Sequence, residues 1–416
     1  MENDPMTRSV ISVCVALAGL GLAWSVVPAA EEAAKDEEAA SLAEAFTGGE
    51  VHGSFRWRFE NVDDDAVPRS GQASTLRSTL SFRTKPFRGV GLFVEFEDVT
   101  DVGWSDEHAN AGWQDLSNGV TDRPTIADPA VTQLNQGFLA FRRGGTELRV
   151  GRQEILLDNV RFVGNVGWRQ NHQSFDAARL TTDAIPRTRL TLAWVRNVNQ
   201  ITGRRVDMGS LLANASVTLA EGHAVTAYLY DLDYDTLVAL STRTLGLRYT
   251  GGAAVTDSGR LQWDLELADQ QDSGDNPGPV DAGYRRAALT WKASRWSAGA
   301  GWEVLEGAPG SGAFRTPLAT LHAWNGWADK FLATPPNGLV DLFVHVGGKL
   351  GDVSVKAVWH DFSSDSASID YGTELDLVAS WKASWGQTFA VKAALYDADA
   401  FSSDTTKLWV FTGWSF

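Results

Sequence analysis

Residues 51–59 read Val51-His52-Gly53-Ser54-Phe55-Arg56-Trp57-Arg58-Phe59. Val, Gly, Phe, Trp and Phe share one parity, and His, Ser, Arg and Arg share the other, which is the period-2 signature of a strand with one apolar and one polar face. The polar face carries guanidinium groups rather than only hydroxyls, so it must meet water or other charges. Working outward, the same alternation recurs to the last residue. Leu261, Trp263, Leu265 and Leu267 alternate with Gln262, Asp264 and Glu266, and Val353, Val355, Ala357 and Trp359 alternate with Ser354, Lys356 and His360. Leu375, Leu377, Ala379 and Trp381 alternate with Glu374, Asp376, Ser380 and Lys382. Such segments give about eighteen strands, centred near residues 55, 79, 94, 138, 149, 177, 192, 215, 227, 246, 264, 288, 300, 345, 356, 377, 392 and 411.

The connections supply the architecture. Long segments at 61–72, 98–130, 153–172, 269–281, 305–338, 361–371 and 397–405 are set against tight turns such as 85–89, 143–145, 184–187, 293–295, 348–351 and 383–384. An even strand count with long loops at one end and short turns at the other describes a transmembrane antiparallel β-barrel of about 18 strands, all-β, with short periplasmic turns and long extracellular loops. A soluble β-sandwich or propeller has no reason for that asymmetry. Trp291-Lys292-Ala293-Ser294-Arg295-Trp296 and Trp381-Lys382-Ala383-Ser384-Trp385 are near-copies bridging two strands each, which places Trp on the periplasmic rim as an aromatic girdle.

The N-terminal region implies export to the cell outer membrane of a Gram-negative bacterium. Val10 to Val27 is a nearly uninterrupted apolar run after Arg8, followed by Pro28 and Ala29, so residues 1–29 are expected to be a cleaved signal peptide. A helical anchor is the competing reading, because a run of about 18 apolar residues just suffices to span a bilayer. Starting at Met6 instead of Met1 would remove Glu2 and Asp4 and restore a positive leader. The single cysteine, Cys14, would leave with that segment. Residues 30–46 form an acidic, Ala/Glu-rich lead-in of short helix or solvated chain, and 47–416 form the barrel.

The formal charge of the 416-residue chain is -16, which excludes a nucleic-acid partner. Much of the excess acid lies in the lead-in and the long loops, as in Asp63-Asp64-Asp65. Acidic loops are expected to meet divalent cations and lipopolysaccharide, and the apolar parity outer-membrane lipid. Arg or Lys facing lipid at the bilayer midplane costs about 2–4 kcal/mol, so the charged parity must face inward. Closing that many strands leaves an interior too wide for wall side chains to fill, so the expectation is a water-filled pore unless a loop, 305–338 being long enough, folds into it. Arg56, Arg58, Arg77, Arg83, Arg142 and Arg149 make the first half of the inward parity basic, interrupted by Glu95 and Glu97. Arg152 shares the parity of Leu148 and Val150, so either Gly151 forms a bulge or Arg152 sits above the membrane.

Two stretches carry a resemblance. Arg149-Val150-Gly151-Arg152-Gln153-Glu154-Ile155, with Arg161-Phe162-Val163-Gly164, Trp168-Arg169-Gln170 and Phe175-Asp176-Ala177-Ala178-Arg179, is one. Trp324-Asn325-Gly326-Trp327-Ala328-Asp329-Lys330-Phe331-Leu332, running into Thr334-Pro335-Pro336-Asn337-Gly338-Leu339, is the other. Both resemble the alginate-export family of outer-membrane proteins. The resemblance implies an eighteen-stranded barrel passing an anionic polysaccharide through an Arg-rich constriction. On that analogy Arg58, Arg77, Arg83, Arg149, Arg152, Arg161, Arg169 and Arg179 would line the pore, and Glu154, Asp158 and Asp176 would orient them by ion pairing. Repeated weak anion sites suit a polymer with a carboxylate on each sugar. A general diffusion porin for small solutes, or a barrel whose loops bind a partner without transport, remain alternatives.

Two further signals complete the reading. The last segment places Leu408, Val410, Trp414 and Phe416 on one parity, resembling the aromatic-terminated signal read by the outer-membrane assembly machinery. The seven His show no metal-ligand spacing, and the His172/Ser174 pair lacks a third residue placed by the sequence, so neither a cofactor nor an enzyme is expected. Asp231, Asp233 and Asp235 alternate without the glycine and distal glutamate of an EF-hand and read as an ordinary acidic loop.

Overall fold

A computed structural model describes residues 37–103, 107–256 and 258–416; the expected signal peptide, Cys14, the choice of start and the first residues of the lead-in lie outside these. In chain order the strands are β1 (Glu50–Asp64), β2 (Gly71–Arg83), β3 (Val90–Asp101), β4 (Val131–Arg143), β5 (Thr146–Gln153), β6 (Ser174–Thr182), β7 (Thr188–Asn199), β8 (Arg205–Ala220) and β9 (His223–Leu232). They continue as β10 (Thr242–Thr256), β11 (Gly259–Asp272), β12 (Asp281–Ala293), β13 (Trp296–Leu305), the two-residue pair β14 (Gly307–Ala308) and β15 (Gly312–Ala313), β16 (Leu339–Leu350), β17 (Val353–Ser363), β18 (Asp370–Lys382), β19 (Thr388–Ala398) and β20 (Thr405–Ser415). Apart from β14 and β15, they form one 18-stranded sheet in which each strand pairs antiparallel with its neighbours in the wall. β1 pairs with both β2 and β20, which closes the barrel.

Each of the eighteen expected strand centres falls inside one of the eighteen wall strands. The long connections are shorter than the sequence suggests, because several strands continue past the apolar band. β1 reaches Asp64 and β11 reaches Asp272 with polar residues on both faces. There the backbone still gains its ladder bonds, while no lipid enforces alternation.

Parity holds as read. Phe55, Leu80, Leu139, Leu245, Leu267, Val344 and Val391 are exposed on the outer face, whereas Arg56, Arg58, Arg77 and Glu97 are buried inside. At the short-turn end Trp291, Trp296, Trp381 and Trp385 are exposed in a band at the level expected for the girdle. The lead-in contributes helix α1 (Leu42–Thr47), whose N-cap Ser41 Oγ accepts from Glu44 N at 3.1 Å. Lys85 N donates to Ala45 O at 3.0 Å, and Phe46 stacks on Phe82, so α1 docks on the β2–β3 turn.

The wall closes on a contact of the final residue. Gly53 N donates to Phe416 O and Phe416 N to Gly53 O, both at 3.0 Å. A Cβ on Gly53 would lie 2.5 Å from the Phe416 ring, so only glycine lets the ring lie over the β1 backbone.

Candidate functional site: a charged lumen closed by two loops

Two connections at the long-loop end turn into the barrel: residues 154–173 after β5 and 306–338 after β13. The chemistry of their side chains explains the direction. Ile155, Phe162 and Val163 of the first, and Phe314, Leu318, Trp327 and Phe331 of the second, are buried in one cluster with inward Phe175, Val195, Leu212, Tyr228 and Tyr284. Phe162 meets Tyr284 edge-on at 5.2 Å and Tyr228 at 5.3 Å. These strand positions form an apolar patch inside an otherwise polar lumen, and the loops cover it.

The two loops make one plug. Gly164 N donates to Leu318 O at 2.9 Å, Thr320 N to Val160 O at 3.0 Å and Val166 N to Thr320 Oγ1 at 3.1 Å. The first loop is strained: Val160 and Val166, both β-branched, stand at φ 58° and 53°. Such conformations cost on the order of 1–3 kcal/mol and persist only where surroundings over-determine them.

The expected Arg residues hold this plug. On the β1 side, Arg56 donates to Gln170 Oε1 at 2.8 Å and Gly167 O at 3.0 Å, and Arg58 to Trp168 O at 2.6 Å. Arg58 is also paired with Asp128, which enters the lumen from the 102–130 loop, and lies 3.6 Å from Glu60. Burial opposes the charge on Asp128, but Arg58 and Arg169 outweigh it and hold the carboxyl below its usual range. Arg77 binds Glu97 at 2.7 Å. Arg169 reaches Asp329 at 2.8 Å and Glu60 at 3.4 Å. Across the lumen, Arg161 donates to Glu303 at 2.8 Å and Asn325 Oδ1 at 3.0 Å, while Asn325 Nδ2 and Tyr284 OH also donate to Glu303. One wall carboxylate thus receives both loops. Glu154 joins Asn165 at 2.7 Å and His172 Nδ1 at 2.8 Å.

The centre of the plug is a buried lysine. Lys392 Nζ lies 3.7 Å from the Trp327 ring centroid and 4.0 Å from that of Trp168, one from each loop. It donates to His322 Nε2 at 2.6 Å. His322 Nδ1 is 2.7 Å from Asp329 Oδ1, which assigns its proton to Nδ1. Burial, with Lys392 adding to it, pushes His322 well below its ordinary value, in keeping with a neutral ring.

The remaining expected residues lie nearer the short-turn end or outside. Arg149 and Arg179 are inward and share Glu147, which also pairs with Arg142. Arg83 stands over the Phe93 ring near the turns, whereas Asp158 belongs to the first plug loop and accepts from Asn214 Nδ2 at 2.6 Å. Arg152 and Asp176 do not join the lumen set. Gly151 has φ 132° but stays in register, so Arg152 keeps the outward parity opposite Asp176 and binds it there at 2.7 Å. The expected pore-lining place of Arg152 is therefore corrected: no bulge forms in the β4–β5 ladder to turn its side chain inward. Glu60, Asp128, Glu303, Asp329 and Lys392 are site residues outside the expected set. Glu60, Glu303 and Lys392 carried a signal in their inward parity, whereas Asp128 and Asp329 sit in loops with no period. Ser174 Oγ accepts from Asn199 rather than meeting His172. Among the described residues no group of three His, Cys, Asp or Glu is placed to hold a metal ion.

Residues 50–310 match the family described as Alginate export. The chain belongs to the alginate-export family. No curated protein matches the sequence. Among solved structures it is similar to OccK9 (OpdG) of Pseudomonas aeruginosa at 15% identity and TM-score 0.70, covering 89% of this chain and 99% of that one. It is similar to Pseudomonas aeruginosa OpdK with vanillate at 13% identity and TM-score 0.72, with 89% and 99% coverage. Acinetobacter baumannii OccAB2 gives 14% identity and TM-score 0.71 over 90% of this chain and 99% of that one. At these identities the likeness is one of fold. Family and barrel together place this member of the alginate-export family in the outer membrane as a solute channel, with the long loops extracellular and the short turns periplasmic.

Proposed function

We propose that this barrel passes an anionic saccharide or a related carboxylate-bearing solute, acting as a channel and not as an enzyme. The observation that carries this is the inward placement of guanidinium groups along one path: Arg83, Arg149 and Arg179 toward the periplasmic mouth, then Arg56, Arg58, Arg77, Arg161 and Arg169 at the plug. Guanidinium stays charged at any working pH and matches carboxylate geometry. Because most of these Arg residues are already ion-paired inside the protein, a passing carboxylate exchanges with an internal one, which keeps each site weak enough to release it. Residues 1–29 serve as the cleaved signal peptide, the rim meets lipopolysaccharide, and Phe416 serves as the assembly signal.

The same pairing favours a second reading, a general diffusion porin whose Arg residues only brace the plug. Single-channel recording in planar bilayers with uronate oligomers separates the two. The first expects chloride preference and oligomer block that weakens in Arg77→Ala. Conductance without block supports the porin, and absence of conductance overturns both.

A further inference from the structure

Opposite the Arg149/Arg179 wall, the periplasmic mouth carries cations of another kind. The ladder sets Lys292 of β12, Ser297 of β13, Gly347 of β16 and Lys356 of β17 at one level of the wall. One level further in stand Thr290, Gly299, His345 and Val358. All eight lie on the inward parity shared with buried Glu303 and Asp341.

The middle of this surface is a recess. Ser297, Gly299 and Gly347 have little or no side chain, while a lysine stands on each side and His345 Nε2 lies 3.2 Å from Thr290 Oγ1 above. Strands are spaced by about 4.8 Å, so the two lysine Cα atoms are about 14 Å apart across three spacings. Two flexible side chains can close that span on a sugar ring. Glycine is needed at 299, where a Cβ would lie 2.5 Å from His345 Nε2 and 2.4 Å from Leu289 O.

The charges are available. Among the described residues Lys292 and Lys356 make no hydrogen bond or ion pair, Lys356 Nζ lying 5.9 Å from the Trp327 ring centroid, whereas Arg58, Arg77, Arg161 and Arg169 are each bound to a carboxylate. The carboxylate that faces Lys356, Asp376, is turned to the plug: it accepts from Trp327 N at 3.2 Å and lies 3.7 Å from His360 Nε2. The neighbouring Arg286 is bound to Asp264 at 2.8 Å.

We propose that Lys292, Lys356 and His345, around the floor formed by Ser297, Gly299 and Gly347, form a carboxylate-binding subsite that receives a uronate-like solute at the periplasmic mouth. The subsite rests on the anion-passing function proposed above. Its ligand pairs one carboxylate with an ammonium and places ring hydroxyls against Thr290 and His345, so a neutral hexose lacks the main contact.

The test is isothermal titration of the full-length, detergent-solubilised barrel with glucuronate and with glucose, joined to chloride-over-potassium selectivity in planar bilayers. In Lys292→Met/Lys356→Met the expected results are a roughly tenfold loss of glucuronate affinity, reduced chloride preference and unchanged response to glucose. Lys356→Arg should retain binding, and heat-modifiable gel mobility verifies that each variant is folded. Unchanged glucuronate affinity in the double lysine variant overturns the subsite. If affinity falls only in Arg149→Ala/Arg179→Ala, the subsite is overturned while anion passage stands. If the wild-type barrel neither binds glucuronate nor prefers chloride, the functional proposal falls and the subsite with it.

Discussion

Replacing Glu303 by Gln should unlatch the plug. The side chain of Glu303 is 2% exposed and that of Arg161 1% exposed, and the carboxylate holds Arg161 of one loop and Asn325 of the other. Removing one partner of a buried ion pair costs about 3–5 kcal/mol, mainly because the other charge is left uncompensated. Arg161 keeps Asn325 Oδ1 in Glu303→Gln, and the amide oxygen can still accept, so the lower end applies, about 3 kcal/mol. If that cost falls on the closed state alone, the open-to-closed ratio rises by about 100-fold. Release of strain at Val160 and Val166 pushes the same way. In planar bilayers the wild type should show rare openings and Glu303→Gln long-lived ones of larger conductance. The double variant Arg161→Met/Glu303→Leu, which leaves no uncompensated charge, should return toward the closed behaviour. Identical open probability in wild type and Glu303→Gln, with both barrels folded, would refute the idea that this pair latches the plug.

Other consequences can be checked separately. Gly53→Val puts side-chain carbon against the Phe416 ring and should lower the temperature of heat-modifiable unfolding, by an overpacking cost of about 1–3 kcal/mol; an unchanged transition argues against the closing contact. Val391→Arg on the outer face should reduce yield and stability of the folded barrel by about 2–4 kcal/mol if that position lies near the midplane, and normal refolding into vesicles would remove it from the lipid band. For Asp128 the folded carboxyl titrates below its unfolded value of about 3.9. Its contribution to stability is therefore complete above that value and is lost as pH falls through the folded one. The Arg58–Asp128 clasp should leave conductance unchanged between pH 7 and pH 5, and Asp128→Asn should already differ at pH 7. A large wild-type change near pH 6, abolished in Asp128→Asn, would contradict the depressed titration.

The wall was legible because lipid outside and water inside impose opposite demands on successive residues. Arg56 and Trp57 could be assigned to inside and outside from position alone, whereas Arg152, expected in the pore on the family analogy, keeps the outward parity of Leu148 and Val150. The plug was not legible in detail. Asp128 and Asp329 lie in connections where no period operates, and their partners are fixed by folding across the lumen. Leu318 and Phe314 look like ordinary loop residues until the apolar patch around Tyr284 gives them a place to go. Strand ends were underestimated for the same reason: beyond the lipid, backbone pairing continues without a pattern in the side chains.

Around the wall, successive strands are tied to each other by chain as well as by backbone hydrogen bonds. The joint between β1 and β20 has no such tether. Its paired residues are separated by nearly the whole barrel sequence and are held by the ladder, by the Phe416 ring over Gly53 and, at the long-loop end, by Ser403 Oγ donating to Asp64. A ring made of hairpins has one place where it can part sideways without stretching a connection, and here that place is marked by an aromatic clasp on a bare backbone.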